Sequence, residues 1–270
     1  MGIRGVGLAT SISRGIELIF CLIYAKYTKD VKFSLSNIIR SSYVLNRDFF
    51  KYSMPALGNE LVWGSAFAVY SVIFGHLGED LVAANSVVGV ARNLCTVVCF
   101  GMAYGGAVVL GKTMGSGDME LAEQNARRLA GSTILSGLAG SILIFCFYPI
   151  LPFIAELTET AARYRNILVI INSVSIFGAA VNTVFICGIF RSGGDSRFGF
   201  FVDSFTMWFV SVPLGLISAF VLKLPPLAVY AIMYLDEFEK IPVVLIHYKK
   251  KKWLKNITRE KEIYMNNQDK

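Results

Sequence analysis

Four charged side chains, Asp236, Glu237, Glu239 and Lys240, interrupt an apolar stretch from Pro225 to Tyr248 that is long enough to cross a bilayer. In a helix starting at Pro225, Asp236 lies about 16 Å along the axis. That is near the midplane of a hydrocarbon core about 30 Å thick. Charge at that depth is costly and normally faces a bundle interior or a wet cavity, where it marks a transport path. The plainer alternative is a structural ion pair, because Asp236 and Lys240 stand four apart on one helical face. That pair leaves Glu237 and Glu239 without partners.

Other acids also sit in apolar surroundings. Glu60 follows Pro55 by five residues, is flanked by Asn59 and Trp63, and has no Lys or Arg within a helical turn. A buried carboxylate can be neutralised by a proton or by a bound cation, which is what ion coupling requires. Glu60 is therefore the first candidate for the coupling carboxylate, with Asp236 and Glu237 as supporting groups. Asp203 is a further ion-coupling candidate; its alternative is an interfacial acid paired with Arg197 or Arg191. Trp63 and Tyr70 offer aromatic faces to a cationic substrate, as against plain packing or anchoring at the lipid interface. Tyr230 and Tyr234, four apart, are expected to face the same cavity. Pro55 reads either as a first-turn proline or as a kink.

The elements that must hold these groups are helices. The chain of 270 residues is 54% hydrophobic and 17% charged, against about 25% charge in an ordinary soluble domain. Its apolar runs are continuous and do not alternate, which excludes a strand barrel. Seven spans are predicted, at roughly 3–25, 54–74, 81–110, 129–151, 166–190, 199–222 and 225–248. The third exceeds an untilted span, so its first turns, and Arg92 with them, are expected at the interface. Gly75-His76-Leu77-Gly78, Gly115-Ser116-Gly117-Asp118 and Gly193-Gly194-Asp195 divide spans. In the last of these, glycine suits a tight turn and Asp195 a turn or helix cap.

Several function classes fall away. Cys21, Cys95, Cys99, Cys146 and Cys187 all lie in apolar segments, and the only histidines are His76 and His247. These do not make a metal set, and no nucleophile–base pair or phosphate loop marks an enzyme. The net charge of +7 is concentrated in a tail beginning Lys249-Lys250-Lys251-Lys252, which reads as the cytoplasmic end of a span and not as a nucleic-acid surface. Lysine and arginine asymmetry puts the loops after the first, third and fifth spans on the tail's side. The C-terminus is then inside and the N-terminus outside. With Met1 only a few residues before the first span, the chain reads as starting within something larger. Residues 26–53 read as an interlobe linker carrying a short surface helix around Val31, Phe33, Leu35, Ile38 and Ile39.

Met54-Pro55-Ala56-Leu57-Gly58-Asn59-Glu60-Leu61-Val62-Trp63, Ala83-Ala84-Asn85, Gly188-Ile189-Phe190-Arg191-Ser192-Gly193-Gly194-Asp195-Ser196, Ser211-Val212-Pro213-Leu214 and Asp236-Glu237 occur in this order. Their spacing resembles the C-terminal half of a bacterial multidrug and toxic compound extrusion (MATE) transporter. The resemblance covers about residues 3–258 and is most specific at the Arg191-Gly193-Gly194-Asp195 turn. It implies an all-α membrane protein: residues 1–25 as the last helix of an N-lobe, 26–53 as the cytoplasmic linker, 54–248 as a six-helix C-lobe and 249–270 as a basic cytoplasmic tail. It further implies a multi-pass plasma-membrane antiporter that exports amphipathic or cationic small molecules in exchange for H+ or Na+. No cofactor beyond that ion is expected. Its partners would be membrane lipid and a separately encoded N-lobe, with no nucleic acid. Some relatives place an aspartate in the tenth helix, where this chain offers Asn172 and Asn182; Asn182 is taken as a cavity residue. A lipid-linked substrate flippase of the same superfamily and a nonfunctional gene remnant are the alternatives.

The topology is testable in intact cells. In a cysteine-free background, a cysteine placed in the 152–162 loop should react with an impermeant maleimide, whereas one in the 249–255 tail should react only after permeabilisation.

Overall fold

The computed structural model describes residues 2–27 and 43–255. It divides into a unit before Asp48 and a unit from Asp48 onward. The described residues are helical throughout, joined by short turns. The expected surface helix around 31–39 and the tail beyond 255 lie outside the described residues.

In the first unit, α1 (Gly2–Tyr27) is largely apolar, with Leu8, Ile12, Ile16 and Phe20 exposed. Its Arg14 and Glu17 pair with each other at 2.6 Å, one turn apart on the helix surface. A helix of that composition matches a lipid environment.

The second unit holds α2 (Tyr43–Leu77) from Asp48 onward, α3 (Glu79–Gly115), α4 (Met119–Phe147), the short α5 (Leu151–Ile154), α6 (Glu159–Thr183), α7 (Ser196–Phe205), α8 (Val212–Leu216), α9 (Pro226–Met233) and α10 (Asp236–Lys249). A π-helical stretch, Val184–Phe190, prolongs α6, and two more, Thr206–Ser211 and Ile217–Val221, flank α8. With these continuations, six described rods are long and apolar enough to cross a membrane, including Gly7–Tyr27 of the first unit. The predicted seventh span, 225–248, is instead two helices meeting at Tyr234 and Leu235. The second rod also begins at Tyr43, earlier than the expected 54.

The turns follow local chemistry. Gly78, at φ 127°, is the single residue between α2 and α3, a conformation open to glycine. Asp118 caps α4 by accepting from the Leu121 N–H at 2.9 Å, and Thr158 caps α6 by accepting from the Ala161 N–H at 3.1 Å.

Helices α3, α4 and α6 pack on one another. Small residues set their spacing: a Cβ on Gly140 would lie 2.8 Å from Ile176 Cγ2, and one on Gly137 would lie 2.8 Å from the Phe177 ring. Close approach of this kind replaces hydrophobic drive where both lipid and helix are apolar. Two apolar clusters result, one around Tyr70, Leu81, Ile144 and Tyr230 and one around Leu110, Phe185, Phe190 and Trp253. The outward faces remain greasy, with Val97, Leu135, Ile142 and Phe209 exposed.

The Gly193-Gly194 turn serves two purposes. Gly194 takes the positive φ, 75°, that the sequence leads one to expect. Gly193 is needed for space, because a Cβ there would meet the main-chain oxygen of Trp253 at 1.8 Å. Trp253 is itself buried, stacked on Tyr248 and donating its indole N–H to the Tyr248 carbonyl at 3.2 Å. Asp195 occupies the cap position of α7 but makes no cap bond; its Oδ2 lies 2.8 Å from His247 Nε2.

Gly193→Ala should lower stability by about 1–3 kcal/mol, the usual cost of forcing atoms into a packed site. Gly101→Ala, where a Cβ meets nothing within 4 Å, should be close to neutral. Thermal unfolding in detergent micelles checks both.

Candidate functional site

The charged core of the second unit is built around one ammonium group. Lys240 Nζ lies 3.0 Å from Asp203 Oδ1 and 3.5 Å from Asp236 Oδ2, and the lysine side chain is 2% exposed. The other Asp203 oxygen accepts from Asn59 Nδ2 at 2.6 Å. Thus α2, α7 and α10 meet at a single network, and each contributes a side chain that would be costly to bury alone.

The broken helix explains how two acids stand at this depth. Tyr234, at φ −87° and ψ 1°, ends α9, so Asp236 and Glu237 fall in the first turn of α10. Free amides and the helix dipole favour negative charge there. Glu237 is further held by α6: Asn182 Nδ2 donates to its Oε2 at 2.8 Å and to its main-chain oxygen at 2.6 Å. Gly178 permits the approach, since a Cβ there would touch Glu237 Cβ at 3.0 Å. Glu239 points away and is exposed.

Asn59, Asn182, Asp203, Glu237 and Lys240 line a cavity of about 130 Å³ together with Glu60, Trp63, Arg92, Phe100 and Ile186; Asp236 does not line it and reaches it only through its pairing with Lys240. Glu60 has a partner that local spacing does not reveal. Arg191, at the end of the π-helical stretch, places Nη2 at 2.9 Å from Glu60 Oε1, and the two side chains are 54% (Glu60) and 26% (Arg191) exposed. The expectation that Glu60 is an acid without a basic partner therefore fails, because its partner comes from 131 residues further along the chain. Asp203 likewise pairs with Lys240 and not with Arg191 or Arg197. Arg92 lies inside α3 and lines the cavity, its guanidinium 4.7 Å from the Tyr234 ring centre and 5.7 Å from that of Phe67. Its Nη1 donates to the Tyr234 hydroxyl at 3.3 Å.

The aromatic candidates separate. Trp63 lines the cavity. Tyr70, Tyr230 and Tyr234 are buried beside it in the core and do not line it. An aromatic row links them, running Trp63, Phe67, Tyr70, Phe74, Tyr230, Tyr234 with ring centres 4.4 to 6.5 Å apart. The Tyr230 hydroxyl donates to Asn85 Oδ1 at 2.9 Å and accepts from Asn172 Nδ2 at 2.9 Å. Pro55 lies within α2, away from the cavity wall, beside Gly194, Asp195 and Arg197. The central part played by Lys240, the place of Arg92 and the π-helical stretches are what sequence reasoning missed.

The MatE family model matches residues 55–217. Among curated proteins, the chain is 21% identical over 217 residues to the uncharacterized transporter YisQ of Bacillus subtilis (strain 168), covering 80% of this chain and 47% of that one. It is 24% identical over 233 residues to multidrug and toxin extrusion protein 2 of Homo sapiens, covering 83% and 37%. It is 23% identical over 229 residues to the probable multidrug resistance protein NorM of Xylella fastidiosa (strain 9a5c), covering 82% and 48%. The chain thus spans half or less of the length of these relatives. Among solved structures, it superposes on an outward-facing multidrug resistance MATE transporter of the MOP superfamily with a TM-score of 0.70 at 16% identity, covering 88% of this chain and 53% of that one. A MOP superfamily transporter from Pyrococcus furiosus, for which a different function is suggested by the reversed polarity of its binding pocket, gives 0.71 at 14% identity, covering 87% and 52%.

Removing the central ammonium should be expensive. Lys240→Met leaves Asp203 and Asp236 facing each other and is expected to cost about 3–5 kcal/mol, as for other broken buried pairs. Adding Asp203→Asn and Asp236→Asn should return much of that loss. Unfolding temperatures of the single and triple variants in the same detergent decide it.

Proposed function

The chain belongs to the MatE family, whose members are transporters, and we propose that it forms one lobe of a multidrug efflux antiporter of the plasma membrane. In this reading it exports amphipathic, often cationic compounds in exchange for H+ or Na+, with its C-terminal tail in the cytoplasm. The observation that supports it best is the cavity: three carboxylates, Glu60, Asp203 and Glu237, line it, with Asp236 held behind them on Lys240, in a bundle whose outer faces are apolar. Such charge among lipid-facing helices is typical of ion and substrate paths.

The roles differ with burial. Asp203 and Asp236 are tied to Lys240 and keep the wall in place. Glu60 is half exposed and bonded to Arg191, so an arriving ion can reach it. A proton or cation on Glu60 cancels its attraction for Arg191 and loosens α2 from the end of α6. Arg191 is then the element through which ion binding moves the wall. Trp63 and Phe100 supply apolar surface for the body of a substrate. A facing lobe, supplied with this one, completes the chamber.

The test joins this chain to a matching N-terminal lobe and follows ethidium efflux in proteoliposomes under an imposed ion gradient. Glu60→Gln should abolish ion-driven export while leaving ethidium binding largely intact, and Asp236→Asn should act mainly through loss of folded protein. Full coupled transport by Glu60→Gln would overturn the role given to Glu60.

A further inference from the structure

A second pocket, of about 280 Å³, opens at the tail end of the bundle, between the early turns of α2 and the start of α7. Lys51 reaches it from α2, Arg197 from the first turn of α7 and Lys255 from the chain that follows α10. All three residues are exposed, and among the described residues none of them forms an ion pair. Lys51 lies over the Tyr52 ring at 5.3 Å. The acid in the lining, Asp195, is turned to His247 at 2.8 Å. It makes no cap bond to α7, so the first N–H groups of that helix, beginning at Ser196 in the same lining, add partial positive charge. Three separate segments therefore bring like charge to one point, and that charge attracts an anion.

The same two helices carry an apolar groove further along. They are joined by the Asn59–Asp203 bond at 2.6 Å and by the Trp208 indole N–H, which donates to the Val62 carbonyl at 3.4 Å. Leu61 and Val62 of α2, with Trp208 and Phe209 of the π-helical stretch that continues α7, line a groove of about 520 Å³. Leu61, Trp208 and Phe209 are exposed. Leu61 stands six residues past Pro55, which lines the pocket, so the groove begins about 9 Å further along α2. In both helices the pocket residues come first in the chain and the groove residues later. A cationic pocket at the membrane surface is thus followed, on one pair of rods, by an apolar groove at the depth of the acyl chains.

We propose that the pocket and the groove together hold one anionic phospholipid, its phosphate among Lys51, Arg197 and Lys255 and an acyl chain along Leu61, Trp208 and Phe209. The inference rests on the orientation proposed above, which puts this end of the bundle at the cytoplasmic leaflet, where anionic lipids supply the surface charge; it does not depend on what the transporter carries. The Arg197 guanidinium meets a phosphate with paired N–H bonds, and the two ammonium groups add point charges. A zwitterionic headgroup brings a cation of its own into cationic surroundings and is disfavoured. A free phosphate satisfies the charge but leaves the groove uncovered. The bound lipid touches α2, α7 and the tail at once, and so ties together three segments that are distant in the chain.

The experiment uses the purified full chain in neutral detergent and counts bound lipid by native mass spectrometry as dioleoylphosphatidylglycerol or dioleoylphosphatidylcholine is added. Phosphatidylglycerol should be retained with an affinity roughly tenfold or more above that of phosphatidylcholine, the scale of two or three charges near a membrane surface. Arg197→Gln with Lys255→Gln should remove that preference. Lys249→Gln with Lys250→Gln, an equal loss of charge outside the pocket, should keep it. Unfolding temperatures are recorded for each variant, and if the pocket pair does not fold, Lys51→Gln decides. Glycerol phosphate, which has the headgroup phosphate without the chains, should displace the lipid only at roughly a hundredfold higher concentration, because it buries no apolar surface. Equal loss of preference from both double substitutions overturns the pocket in favour of general attraction to a basic tail. Displacement by glycerol phosphate at matched concentration overturns the lipid and leaves a phosphate site. Equal retention of the two lipids, or a dimer of the chain in place of a lipid adduct, overturns the proposal as a whole.

Discussion

The ammonium group of Lys240 is the contact on which the rest of this bundle depends. Removing a charge from water at this depth is tolerable only where opposite charge and hydrogen bonds surround it. Asp203 and Asp236 supply the charge, and Asn59 holds Asp203 from its far side. Residues 59, 203 and 240 are far apart in the chain, yet this network fixes where α2, α7 and α10 stand. The break at Tyr234 follows the same logic, because it hands Asp236 and Glu237 the favourable end of a helix.

Around that fixed centre the charges become progressively easier to rearrange. The Glu60–Arg191 contact is partly solvated, and pairs of that kind hold weakly. Arg92 is held by aromatic faces and a tyrosine hydroxyl, contacts that are adjustable in angle. The cavity therefore has one rigid wall and one yielding rim. The aromatic row from Trp63 to Tyr234 joins the rim to the interior without exposing polar atoms to lipid.

Local features were legible in the sequence, and distant ones were not. Apolar runs marked six of the rods because lipid demands continuous hydrophobic length. The Asp236–Lys240 pair was legible because four residues span one helical turn. Its second partner, Asp203, was not, and neither was the Arg191 partner of Glu60, since nothing in a linear spacing encodes which helices meet. The break at Tyr234-Leu235 carries neither proline nor glycine and so gave no signal. Tyr70, Tyr230 and Tyr234 read as cavity aromatics, and no spacing revealed that all three pack in the core beside the cavity. The Gly193-Gly194 pair announced a turn; that one of the two makes room for Trp253 depends on a contact 60 residues away.

The π-helical stretches have a consequence for comparing this chain with its relatives. Each carries extra length per turn relative to an α-helix, and one inserted residue rotates everything after it by about 100°. A relative whose corresponding helix is plain α would present, at the position counted off against Arg191, a side chain on a different face. At 21–24% identity, residue counting does not reveal such a step. Equivalent groups in these proteins are better matched by the surface they turn toward the cavity than by their place along the chain.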